Sequence, residues 1–99
     1  MPMTAIINAT TTGTVTVVAA NPTGRIRVLG YHFGSTAGVG LTWLAGSTSL
    51  SGVTRTLADA SVILPVSEIG GMVTPENTTL SLNLNGNATV GGYVVYDVL

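Results

Sequence analysis

The chain has 99 residues, enough for one domain that buries roughly 65% of its unfolded surface, and no cysteine, which excludes disulfides and thiolate metal sites. Asp, Glu, Lys and Arg make up 7% of it and the net charge is −1, against about 25% charged residues in an ordinary soluble domain. With three arginines, no lysine and one histidine, it lacks the clustered cations that bind nucleic acid or anionic membrane.

Met1-Pro2-Met3-Thr4 lacks the basic start of a signal peptide. Thr, Gly, Ser and Asn interrupt every apolar run short of the ~18 residues of a membrane helix. The absence of cysteine fits assembly in a reducing cytoplasm. Solubility as a lone monomer usually relies on more charge than this, so much of the surface is expected to be covered by protein.

In chain order, residues 5–9 form a short apolar stretch, a first edge strand or an arm, and Thr10-Thr11-Thr12-Gly13 breaks it like a hinge. Residues 14–20 alternate Thr with Val and read as a strand, closed by the turn Asn21-Pro22-Thr23-Gly24. Residues 25–33 read as the next strand, with a change of parity. Ile26 and Val28 share one face and Arg25 and Arg27 the other, yet Tyr31 and Phe33 fall on the arginine face. A bulge at Gly30 repairs the register, because one extra residue turns every later side chain over.

Residues 34–38 are a loop and 39–45 a strand with Leu41 and Trp43 on one face. After a turn at 46–48, residues 49–57 hold a short paired segment broken at Gly52. A loop at 58–61 leads to a short strand at 62–66, which Pro65 confines to an edge or a strand end. Residues 67–77 are irregular. Leu80, Leu82 and Leu84 alternate with Ser81, Asn83 and Asn85, the period of a strand with one buried face. Asn85-Gly86-Asn87 follows, and residues 89–98 return rich in β-branched and aromatic side chains. Asn-Gly between two such runs predicts a tight hairpin turn. On that reading Gly86→Val costs about 1 kcal/mol or more, because a β-branched residue resists positive φ.

No window carries the apolar spacing of a helix. The fold class expected is all-β: a single antiparallel β-sandwich over 1–99, jelly-roll or Ig-like, of seven or eight short strands. Its inward side chains are expected to be chiefly Leu80, Leu82, Leu84, Val15, Val17, Ile26, Val28, Leu41 and Trp43.

Chemistry has no comparable signal. His32 is the one histidine available as a base, with Asp59 and Asp97 in principle available to orient it, but no spacing unites them and no Gly-x-Ser-x-Gly elbow occurs. Glu68 and Glu76 share an irregular segment, and placement on a loop rim accounts for them better than glycosidase chemistry. The scattered acids and one histidine predict no metal site, no cofactor and no enzyme. Glycines at 34–40 lack the Lys-Ser/Thr ending of a phosphate loop. Asn8, Asn77 and Asn87 each precede a Thr by two, a glycosylation pattern that chance supplies in a Thr-rich chain. Trp43, Tyr31, Tyr93, Tyr96 and Phe33 sit in patterned strands, which favours core or subunit contact over a stacking platform. The interface candidates are Ile6, Ile7, Arg25, Arg27 and His32, the two arginines as partners for carboxylates on a neighbouring subunit.

The order Arg25-Ile-Arg-Val-Leu-Gly-Tyr31, the run from Leu41 to Gly52, then Leu80-Ser-Leu-Asn-Leu84 and Val90-Gly-Gly-Tyr-Val-Val-Tyr96 resembles small β-sandwich virion proteins of tailed bacteriophages that decorate or cement the capsid. The likeness covers roughly the last three-quarters of the chain and consists mostly of strands and turns. It implies a structural virion protein on the capsid exterior, bound to the major capsid protein, with no catalytic residues. Related sandwiches also serve as modules of head or tail fibres that bind a host receptor, which is the alternative. Charge depletion implies a homo-oligomer, and the resemblance favours a trimer over a dimer, since decoration proteins often sit where three capsid subunits meet. Residues 1–9 are expected to cross onto a neighbour, so that deleting them weakens assembly more than the fold.

Overall fold

Leu80, Leu82 and Leu84 share one side only in an extended chain, and the computed structural model, which describes residues 2–10, 12–57, 59, 61–65 and 72–99, extends them as one of ten strands. These are β1 (Met3–Ala9), β2 (Gly13–Val18), β3 (Ile26–Ser35), β4 (Val39–Ala45), β5 (Thr48–Ser49), β6 (Thr54–Thr56), β7 (Ser61–Leu64), β8 (Met72–Val73), β9 (Leu80–Leu84) and β10 (Val90–Val98). Every pairing is antiparallel, and no helix occurs among the described residues. One sheet runs β1-β10-β3-β7, with β8 also on β3; the other runs β2-β9-β4-β5, with β6 also on β4. The all-β sandwich is as expected. The strand number exceeds seven or eight because β5, β6 and β8, of two or three residues each, pair separately.

The expected C-terminal hairpin is not there. β9 lies between β2 and β4 in one sheet and β10 between β1 and β3 in the other, so the two strands never pair. Residues 85–89 form an arch that carries the chain across the core. Each sheet presents the same sequence of arches: β1 with β2, β10 with β9, and β3 with β4 face one another as three stacked pairs.

Side chains of the Asn-Gly-Asn segment, rather than its backbone conformation, make this possible. The Asn85 N–H donates to the Gly40 carbonyl (3.0 Å) and the Gly40 N–H to Asn85 Oδ1 (2.8 Å). The Thr12 N–H donates to Asn87 Oδ1 (3.1 Å) and its hydroxyl to the Leu84 carbonyl (3.0 Å). Thr36 and Thr89 exchange two bonds, from the Thr36 N–H to the Thr89 carbonyl and from the Thr89 N–H to the Thr36 hydroxyl, both 3.0 Å. The central arch is thus tied to the arch on each side, satisfying backbone groups that a crossing chain would otherwise strand. Gly86 is not among the glycines at positive φ, which removes the basis for a large penalty at Gly86→Val.

The parity change in β3 comes from a bulge, as expected, but one residue before Gly30, which itself pairs in the ladder. Val95 pairs with Gly30 and Tyr96 with Val28, so Leu29 is an extra residue, and Tyr31 and Phe33 return to the side of Ile26 and Val28. Phe33, Trp43, Leu41, Leu80, Leu82, Leu84, Ile26 and Val28 lie in the core with Val90 and Val94; Val15, Val17, Tyr31 and Tyr96 pack against it. Tyr31 stacks on Phe33 with centroids 5.3 Å apart and planes 3° from parallel.

The N-terminal stretch is an edge strand, not an arm. β1 pairs along its whole length with β10, and it sends Ile7 and Ala9 into the core of its own chain. Deleting residues 1–9 therefore removes a strand and two core side chains, and the fold is harmed directly. Part of the expected hinge, Thr11, lies outside the described residues.

Gly92 is where the sheet demands glycine. It sits between Ile7 and Phe33 in the ladder, and a Cβ there would fall on the His32 carbonyl oxygen and 2.6 Å from Phe33 Cα. Those are backbone atoms of a paired strand and cannot step aside. Gly92→Ala is expected to cost at least about 2 kcal/mol, whereas Gly86→Ala, whose Cβ meets nothing closer than 3.8 Å, stays within about 0.5 kcal/mol. Denaturant titration of the two variants checks the contrast.

Candidate interaction face

Alternation decides what each strand of the β10 sheet leaves outside. β1 turns Ala5, Ile7 and Ala9 inward and Thr4, Ile6 and Asn8 outward. β10 turns Val90, Val94 and Tyr96 inward, which puts Gly91, Tyr93, Val95 and Asp97 outside. Past the bulge, β3 presents His32 outward, and β7 presents Ile63 opposite it.

These outward residues fall in one line. Ile6 pairs with Tyr93, Tyr93 with His32, and His32 with Ile63, so the four side chains form a row across all four strands. Ile6 is 80% exposed, Ile63 64% and Tyr93 43%, while His32 is half-buried beside Tyr93 with ring centroids 5.9 Å apart. Gly91 and Gly34 flank the row on one side, and Val95 with Gly30 on the other, so the row rises as a ridge over the Gly91–Gly34 side. Single exposed apolar side chains are ordinary; three in register with a histidine between them form a patch, a candidate interaction surface.

The outer face of the β9 sheet is different in kind. Its cross-strand rows are Thr14–Asn83–Thr42 and Thr16–Ser81–Leu44, with Ser81 buried and exposed Arg55 opposite Gly40, and Asn83 Nδ2 donates to the Thr14 hydroxyl (3.0 Å).

The sequence-expected interface residues are separated by this geometry. Ile6 and His32 lie on the ridge. Ile7, their neighbour in the reading, is 1% exposed in the core and is withdrawn from any surface contact. Arg25 Nε donates to the Thr74 carbonyl of its own chain (3.1 Å). Arg27 finds its carboxylate within the chain too: on the ridge face its Nε donates to Asp97 Oδ1 (2.9 Å), and a second bond joins its terminal nitrogen to Asp97 Oδ2. The two are direct cross-strand partners. Hydrogen bonding from the Arg27 guanidinium holds the Asp97 carboxyl below the usual carboxylate range, and the same bonding raises Arg27. Tyr93, which the sequence leaves between core and subunit contact, falls on the outer face; Ile63 and Asp97 are not among the expected interface residues. The first two are legible once β10 and β7 are phased by their inward residues; Asp97 lies 70 positions from Arg27 and only the fold unites them.

A shallow open hollow lies at one end of the same face, lined by Gly34, Ser35, Thr36, Asp59, Ser61, Thr89 and Gly91. Asp59 is its one ionisable lining residue, so neither a nucleophile–base pair nor a two-carboxylate arrangement is built there. Among the described residues no cluster of three His, Cys, Asp or Glu could hold a metal ion. Glu76 sits exposed in the loop after β8, and Glu68 lies outside the described residues.

The Arg27–Asp97 pair makes stability depend on acid. Because the folded-state value of Asp97 lies below its unfolded value, the native chain binds fewer protons than the unfolded one in the carboxylate range. The contribution is complete above the unfolded value and is lost as pH falls through the folded one. Asp97→Asn is expected to lower the melting temperature modestly at neutral pH, with the difference from the native chain closing in acid. Thermal melts of both proteins across that range check it.

Comparison with known protein families, with curated proteins and with solved structures finds no match for the chain.

Proposed function

We propose that the protein is a structural component of a tailed-bacteriophage virion, a decoration or cement protein that binds the outside of the assembled capsid as a homo-oligomer. The observation that carries the reading is the Ile6–Tyr93–His32–Ile63 ridge on a chain with 7% charged residues. A ridge of this kind gains free energy by leaving water, at about 25 cal/mol for each Å² of apolar surface covered. The Arg27–Asp97 pair on the face is internally compensated, so neither of those two charges is left alone when a neutral surface covers it.

A cement protein acts by binding the assembled shell in preference to its parts, and mass action then stabilises that shell. Repetition does the rest. Many copies on neighbouring capsid subunits add their coupling through effective concentration, so each contact can be weak. Gly91 and Gly34 beside the ridge let a facing surface approach closely on that side of the aromatic pair.

The test is binding of the purified protein to phage particles that lack it. Tyr93→Asp and Ile63→Asp are each expected to lower occupancy about tenfold or more, since each places a lone charge where the face must dehydrate. Occupancy unchanged by both substitutions counts against the ridge as the contact. A native protein that ignores capsids and binds the host cell surface moves the assignment to a fibre module.

A further inference from the structure

A sheet edge offers a row of unpaired backbone groups, and proteins guard such edges with short strands, bulges, prolines and charges. Most edges of this sandwich are guarded in those ways. β7 and β8 are four and two residues long, and Pro65 follows β7. β5 has two residues and β6 three, with Arg55 at its centre. β2 is longer, but its register shifts between Thr16 and Val18 and it begins on Gly13 at φ 115°.

β1 has only one of these protections, Pro2 immediately before it. Its seven residues, Met3-Thr-Ala-Ile-Ile-Asn-Ala9, contain no charge and no proline. Its ladder to β10 runs unbroken from Met3 opposite Tyr96 to Ala9 opposite Val90. Among the described residues no backbone group of β1 bonds outside that ladder.

The sequence of β1 also matches itself when reversed. With Ile6 opposite Ile6 of a second copy, Thr4 meets Asn8 and Ile6 meets Ile6 on the outer side. On the inner side Ala5 meets Ile7 and Met3 meets Ala9, large against small in each case. Centring on Ala5 instead sets Thr4 against Ile6, and centring on Ile7 sets Ile6 against Asn8. The Ile6 register alone pairs like polarity with like on the outside, which is how cross-strand neighbours stabilise a sheet.

We propose that the open edge of β1 takes a second copy of this chain, β1 antiparallel to β1 about a two-fold axis at Ile6. A two-fold contact uses the same patch on both copies, and β1 is self-complementary in that sense. The two sheets then continue as one, β7-β3-β10-β1 followed by the same strands in reverse. The ridge continues with them, because Ile6 of each copy ends its own row and stands beside the other. This gives a dimer in place of the trimer that the resemblance implies. It uses no property of a capsid and holds whatever the assembled pair binds.

Sedimentation of the full chain over a range of concentrations, with two substitutions at Ile6, tests the proposal. Ile6 is 80% exposed, so Ile6→Lys and Ile6→Glu leave the core untouched, and circular dichroism and melting confirm that each variant folds. The native chain is expected to sediment at twice the chain mass. Each variant alone should sediment at half that value, because like charges meet across the axis, and an equimolar mixture of the two should regain the dimer mass. A native chain that stays monomeric, a trimer mass, a dimer untouched by Ile6→Lys, or a mixture that stays monomeric overturns the edge pairing. Particle binding separates this from the capsid reading: Tyr93→Asp is expected to lose particles while remaining dimeric.

Discussion

The fold depends on one burial. β9 and β10 leave their flanking strands unsupported unless both are in place, and what holds them in place is the apolar surface they press together across the sandwich. Leu80, Leu82 and Leu84 from one strand and Val90 and Val94 from the other are all at most 1% exposed. Full burial of each such side chain contributes about 1.5–3 kcal/mol. Because β9 is central in one sheet and β10 in the other, the same arch supplies the ladder partner of β1, β2, β3 and β4. The last twenty residues complete both sheets. Until they arrive the earlier strands have no central neighbours, so the topology couples folding to long-range closure, which is slow compared with local pairing.

That dependence also explains what could and could not be read from the chain. Alternation is local, and it located the principal strands and every one of the nine expected inward residues. The bulge was legible because Tyr31 and Phe33 broke the parity of Ile26 and Val28, a contradiction visible in the letters themselves. The hairpin was misread because Asn85-Gly86-Asn87 suits a tight turn and an arch equally well. What chose between them was the set of partners offered by Thr12, Thr36 and Gly40, all distant in sequence. A turn propensity of local origin yields to burial of two whole strands.

Functional residues divided along the same line. Ile6 and Ile7 are adjacent and chemically alike, so composition treated them together; a strand places neighbours on opposite faces, and the fold sent one to the core and one to the ridge. Arg27 had a carboxylate partner as expected, but within the chain. Tyr93 and Ile63 became surface residues only when register set them beside His32. A ridge made from four strands has no signature in any one of them.

The two faces of the sandwich argue for a direction of use. On the β9 sheet the Thr14–Asn83–Thr42 row is hydroxyl and amide, with an internal Asn83–Thr14 bond, and such a row loses as much to desolvation as it regains in contacts. On the β10 sheet the outward row is aliphatic and aromatic, with the Arg27–Asp97 pair on the same face already neutralised. A molecule nearly without charge cannot orient itself on a partner by long-range fields. Discrimination between its faces must come from contact. On the proposed function, covering the ridge is favourable and covering the hydroxyl and amide row is close to neutral, and that difference favours the ridge as the docking side. The open edge of β1 borders the ridge and not the polar face. Any strand added there enlarges the apolar side of the molecule, and a contact too small to hold by itself becomes part of a broader one.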